Sequence, residues 1–175
     1  EERDVGVFVS QSGETKDVLR AVEFAKEKKM QVLGIVNVLG STLMKLSDVY
    51  LPLACGYEIS VPATKTFTNQ ALIFLYLSLK MSNAEKDRLK DFPKAIEKAI
   101  LESEKIVKDL IPLIKNYDEY YCLGYGFTYP IALEGALKIK EVTYSHCEGM
   151  LSTEFKHGPL SSVKEKYPVI FVVSK

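Results

Sequence analysis

Tryptophan is missing from this chain, histidine occurs only twice, as His146 and His157, and cysteine three times, as Cys55, Cys122 and Cys147. Three widely spaced cysteines form no CxxC pair and no even set, which argues against a disulfide framework. Beside two histidines they give no metal-ligand spacing, so neither a metal nor a cofactor is expected. Net charge is lacking as well, because 23 basic side chains face 23 acidic ones. That balance excludes a broad basic face for nucleic acid or an anionic membrane, and leaves room for a local anion site. Long apolar runs are absent too. The longest, around Ala71 to Leu79, falls far short of the ~20 residues that cross a bilayer. The charged start, Glu1-Glu2-Arg3-Asp4, does not have the form of a secretory leader. A soluble, reducing, cytoplasmic setting is the expectation.

What is present fits an ordinary globular chain. With 175 residues, 47% hydrophobic and 26% charged, it has enough apolar surface for one domain or a piece of a larger one. Val5 to Ser10 reads as a short buried strand, followed by a turn and a helix from about Thr15 to Lys29. Val32 to Val36 is a second strand, a short helix runs through Leu46, and Asp48 to Leu53 is a third strand. Ala63 to about Met81 reads as a buried helix, apolar on more than one face. Pro93 to Asn116 reads as a long amphipathic helix, ended or kinked at Pro112. Strand character resumes at Tyr120 to Leu123, then a helix from Ile131 to Tyr144, a polar turn-rich segment, and a last strand at Pro168 to Ser174. Strand–helix alternation on this plan predicts α/β architecture, parallel sheets flanked by helices in three layers. Phe171 to Ser174 also echoes Val7 to Ser10, although buried parallel strands tend to look alike.

Two places carry chemistry. Ser10-Gln11-Ser12-Gly13-Glu14-Thr15 lies between a buried strand and a helix N-terminus, where free backbone N–H groups favour an anion. Ser10, Gln11, Ser12 and Thr15 add neutral donors, so a phosphate could be held without net positive charge. A Ser or Thr before a helix also serves as a plain cap, and both readings stand at this point. Further on, Glu134, Lys138 and Glu141 fall in one narrow arc of a helix at ~100° per residue. Leu133 and Leu137 flank that arc on one side, and Ile139 and Val142 on the other. A half-buried acid–base–acid stripe is one reading, and a surface ion-pair ladder the other. Lys156-His157-Gly158-Pro159 forms an exposed turn whose histidine could shuttle protons near neutrality. His146 has no such setting.

These segments resemble the sugar isomerase (SIS) domain family. The likeness rests on Ser10 to Thr15, Glu58-Ile59-Ser60-Val61-Pro62-Ala63-Thr64-Lys65, Ala132 to Glu141 and Lys156 to Pro159, in the family's order and approximate spacing. It implies parts of two SIS subdomains, 1–90 and 119–175, joined by a linking helix at 91–118, with one shared active site in a homodimer. It implies a sugar-phosphate substrate and, in the branch most similar to this chain, conversion of fructose 6-phosphate and ammonia to an amino-sugar phosphate. Ser10, Gln11, Ser12 and Thr15 would then hold the phosphate. Glu141 would move a proton, Lys138 would support its charge, and His157 from a neighbouring subunit would help open the sugar ring. Val61 and Glu134 would line the pocket. A glutaminase domain on the N-terminal side and a C-terminal segment with an imine-forming lysine would lie outside the chain. Tyr57, Ala63, Tyr125 and Thr153 depart from the branch pattern. Related readings are a deaminase or deglycase of amino-sugar phosphates, and a non-enzymatic sugar-phosphate sensor.

Overall fold

The structure, a computed structural model, describes residues 3–84 and 87–174. Glu1, Glu2, Glu85, Lys86 and Lys175 lie outside the described residues, so half of the charged start does too. The chain divides into two compact units, Glu1–Leu89 and Lys90–Lys175.

In the first unit, β1 (Val5–Ser10), β2 (Gln31–Val36) and β3 (Val49–Pro52) form a parallel sheet in the order β1-β2-β3. Ser10 pairs with Val36, and Val36 with Pro52, so the carboxyl ends of all three strands lie side by side. The loops that follow them therefore gather at one end of the sheet. Helix α1 (Lys16–Glu27) forms because Val18, Leu19, Val22 and Ala25 recur at helical spacing, and it buries Val22 and Ala25. These pack with Val32, Val36 and Leu43, the last from the short helix α2 (Thr42–Leu46), as one core cluster. Helix α3 (Lys65–Met81) is tied to the end of β3 where the Asn69 amide donates to the Leu53 carbonyl at 2.9 Å.

The sequence leads one to expect a buried helix there, and the structure corrects this. Only Thr66 of α3 is buried, and Phe74, Leu75 and Tyr76 are exposed. Apolar residues on several faces record a demand for cover, which the described chain does not meet.

A short 3-10 turn, Asp87–Asp91, spans the boundary in sequence between the units, and α4 (Phe92–Ile114) follows in the second. Pro112 does not end this helix, which continues to Ile114. The missing N–H of Pro112 removes one helical bond two residues before the helix ends. Then β4 (Glu119–Gly124), α5 (Tyr129–Thr143), β5 (His146–Leu151), α6 (Ser152–Phe155) and β6 (Val169–Val172) follow. The segment expected as a polar turn is thus largely ordered: it contains β5, α6 and a 3-10 turn at Pro159–Ser162. The sheet is parallel with the order β5-β4-β6. Central β4 alternates its faces: Tyr120 and Cys122 pack with Ala132, Ala136 and Cys147 on the α5 side. Tyr121 and Leu123 pack with Phe155 on the other. Helices thus cover both faces of a parallel sheet, the three-layer arrangement expected.

Candidate functional site

The first candidate lies where β1 ends. Ser10 is 6% exposed, its hydroxyl lies 2.9 Å from that of Thr15, and it accepts the Gly13 N–H at 3.0 Å. Ser12 Oγ accepts the Glu14 N–H at 3.2 Å. Gly13 has φ +68°, and a Cβ there would come within 2.1 Å of Ser41 Oγ, so the turn requires glycine. Thr15 occupies the N-cap position of α1, yet no side chain caps that helix. The hydroxyls of Ser10 and Thr15 hold each other instead. The N–H groups at the start of α1 are therefore left without a side-chain acceptor from the N-cap residue.

A cleft of about 640 Å³ adjoins this loop, lined by Gln11, Asn37, Pro52, Ala54, Tyr57 and Glu58 among others. Its floor is fixed by a residue that spacing alone did not single out. Asn37 Nδ2 donates to the Gly56 carbonyl at 2.6 Å, and its Oδ1 accepts the Cys55 S–H at 3.1 Å. Glu58 ties the next loop down. Its carboxylate accepts the Thr66 N–H at 3.0 Å and the Thr66 hydroxyl at 2.8 Å, and the Lys65 ammonium donates to the Tyr57 carbonyl. The Thr66 N–H bond, above all, holds the Glu58 carboxyl below the ordinary glutamate range. Glu58 so caps α3 from outside, and an acid some residues before a Thr-rich helix start was the available signal. Between these anchors Ile59 and Val61 are almost fully exposed. Val61 stands on the rim loop and is not among the residues lining the cleft.

The second candidate lies on α5. Lys138 Nζ is 3.4 Å from Glu134 Oε1 and donates to Glu141 Oε2 at 2.5 Å. All three side chains are 22–26% exposed, so the stripe is neither solvated nor sealed. Burial pulls the Lys138 ammonium down, but its hydrogen bond to Glu141 and the charge of Glu134 more than offset this and raise its pKa. The flanks are more open than the spacing suggests: Leu133, Leu137 and Val142 are 40–61% exposed. One carboxylate oxygen of each acid remains free of Lys138, so the stripe can hold a proton acceptor beside a fixed positive charge.

His157 is exposed and follows α6, its N–H donating to the Glu154 carbonyl at 3.0 Å. Topology keeps it from the stripe. Glu141 lies near the end of α5 that leads into the start of β5, whereas His157 lies beyond that strand's far end. Six residues at ~3.3 Å each separate the two ends by about 20 Å. Among the described residues no hydrogen bond or ion pair joins them. His146 opens β5, its N–H donating to the Asp118 carbonyl at 2.7 Å. Among the described residues no group of three or more His, Cys, Asp or Glu side chains comes together to hold a metal, and no helix is long and apolar enough to cross a membrane.

A relative from Pyrobaculum aerophilum, glutamine–fructose-6-phosphate aminotransferase (isomerizing), is 43% identical over 98% of this chain and 30% of its own length. The chain thus spans about 30% of the length of the curated relatives it matches. Among solved structures, the C-terminal domain of glucosamine-fructose-6-phosphate aminotransferase from Francisella tularensis is similar with a TM-score of 0.82. It is 34% identical and covers 98% of this chain and 51% of that one. Glucosamine-6-phosphate deaminase from Thermotoga maritima has a TM-score of 0.88 at 28% identity, with 98% and 53% covered. The family model described as SIS domain matches residues 1–80 and 113–175, and the chain belongs to the SIS domain family.

Proposed function

We propose that this chain is part of the isomerase domain of a glutamine–fructose-6-phosphate aminotransferase. That enzyme would convert fructose 6-phosphate and glutamine-derived ammonia to glucosamine 6-phosphate. The observation that carries this reading is 43% identity to such an enzyme over 98% of the chain, and the open-ended loop at Ser10–Thr15 supports it. A structure named as a deaminase shares the fold but only 28% of the sequence, which favours the aminotransferase over that alternative and over a sensor.

In this reading, residues 1–90 are the later part of one SIS subdomain, 91–118 a linking helix and 119–175 the early part of the next. Ser10, Gln11, Ser12 and Thr15 hold the 6-phosphate through hydroxyl, amide and backbone donors. Glu141 takes the proton from C1 of the sugar as a C1–C2 double bond forms, and returns it at C2, so that the ketose becomes an aldose. Lys138 orients Glu141 through their ion pair, with Glu134 beside it on the same helix. His157 assists ring opening from the neighbouring subunit of a homodimer. The lysine that forms the imine and the glutaminase domain belong to other parts of the protein, which acts in the cytoplasm. No metal or cofactor is required by this chemistry.

Calorimetry of the full-length protein with fructose 6-phosphate tests the assignment. Ser12→Ala and Thr15→Ala should each weaken binding by roughly tenfold or more, as expected for a lost hydrogen bond to a charged group. Unchanged affinity in both would overturn the phosphate assignment.

A further inference from the structure

Glu14 is an acid within a loop read as a phosphate cradle, where a free carboxylate would repel its ligand. Its side chain is turned elsewhere. Oε1 accepts the Thr42 N–H at 2.7 Å, across 28 residues of sequence. Thr42 opens α2, whose own N-cap residue, Ser41, makes no side-chain cap. Glu14 therefore supplies that cap from a neighbouring loop.

The same segment, 37–43, grips the cradle's backbone. The Gln11 carbonyl accepts the N–H groups of Asn37 at 3.1 Å and Val38 at 3.2 Å, and the Gly13 carbonyl accepts that of Leu43 at 2.9 Å. Ser41 is 5% exposed, its hydroxyl has no hydrogen-bond partner among the described residues, and it is pressed against Gly13. In a trans peptide the carbonyl of one residue and the N–H of the next point in opposite directions. With the carbonyls of Gln11 and Gly13 turned onto segment 37–43, the N–H groups of Ser12 and Glu14 face away from it, the latter donating to Ser12 Oγ at 3.2 Å.

We propose that Glu14 is a positioning residue: by holding Thr42 it locks the 10–15 loop onto segment 37–43, so that the Ser12 amide is presented to a phosphate monoester. This deepens the reading of that loop as the phosphate holder and depends on it. Glu14 does not touch the ligand. The Thr42 N–H, then the Thr42 hydroxyl and the charge of Lys45, hold its carboxyl below the ordinary glutamate range.

Calorimetry and steady-state kinetics of the full-length protein with fructose 6-phosphate test the proposal. Glu14→Ala should raise Kd and KM by about tenfold with kcat within about twofold, since only the phosphate grip is loosened. Glu14→Gln, whose amide oxygen still accepts the Thr42 N–H, should stay within about threefold of the parent. Thr42→Pro removes the donor while leaving the acid. Proline suits the first position of a helix, and Ser41 already has the extended backbone that a following proline needs. It should reproduce the tenfold loss, and it serves if Glu14→Ala does not fold. Weak binding by Ser12→Ala together with parental binding by Glu14→Ala or Thr42→Pro would overturn the clamp alone. Equal losses in Glu14→Ala and Glu14→Gln would overturn it in favour of a charge effect. Parental binding by Ser12→Ala and Thr15→Ala would overturn the phosphate reading, and the clamp with it.

Discussion

Lys138 sits between two carboxylates and shares with them a surface only about a quarter open to water. Cys147, in the core on the α5 side, is fully buried, and burial followed by the nearby Cys122 thiol pushes its pKa from 9.0 up to about 11. Both shifts act in the same direction. Each group is protonated in the folded chain at a pH where it has begun to lose its proton in the unfolded chain. Stability is therefore fully present below pH 9 and declines as pH rises from there toward about 11. The thiol's share is on the order of 2 kcal/mol. Denaturant unfolding between pH 8 and 11 should show this alkaline decline, and Cys147→Ala should flatten it. An identical slope in the variant would contradict the assignment to Cys147.

At the scale of elements, α5 lies so close to β5 that residue size decides the sign of a mutation. A Cβ at Gly149 would come within 2.9 Å of the Leu133 Cα, a backbone atom that cannot move aside alone. Gly149→Ala should cost about 1–3 kcal/mol. At Gly135, within α5, the nearest atom to an added Cβ is Cys122 Sγ at 3.6 Å, an ordinary contact. Gly135→Ala should stabilise by about 0.5–1 kcal/mol, because glycine is the poorer helix former. Urea midpoints moving in opposite directions would bear this out, and a loss at Gly135 or no loss at Gly149 would refute the packing. The same pair explains what the sequence conceals. β1, β2 and β4 are legible because β-branched and aromatic residues mark them locally. In β5, His146, Cys147, Glu148 and Gly149 carry no such mark. That strand exists because β4 pairs with it and α5 covers it. α3 and α4 are legible as helices but not in their surroundings, since the apolar faces say nothing about which surface meets them.

For the molecule as a whole, the same distinction separates the legible parts of the site from the rest. The Ser10–Thr15 loop and the Glu134–Lys138–Glu141 stripe depend on spacing within a few residues, and the structure keeps both intact. The Glu14–Thr42 and Asn37–Gly56 contacts depend on strand register, which brings loops 28 and 19 residues apart to one sheet end. Each unit presents its candidate residues on a parallel sheet flanked by helices, the Ser10–Thr15 loop in the first and a charged stripe in the second. The proposal that the loop and the stripe serve one ketose–aldose conversion is open to direct measurement. Its most direct test is formation of glucosamine 6-phosphate from fructose 6-phosphate and glutamine by the full-length protein and its Glu141→Gln variant. Turnover should fall by about a hundredfold to ten-thousandfold while affinity for fructose 6-phosphate stays within about threefold. Turnover within about twofold of the parent would contradict it.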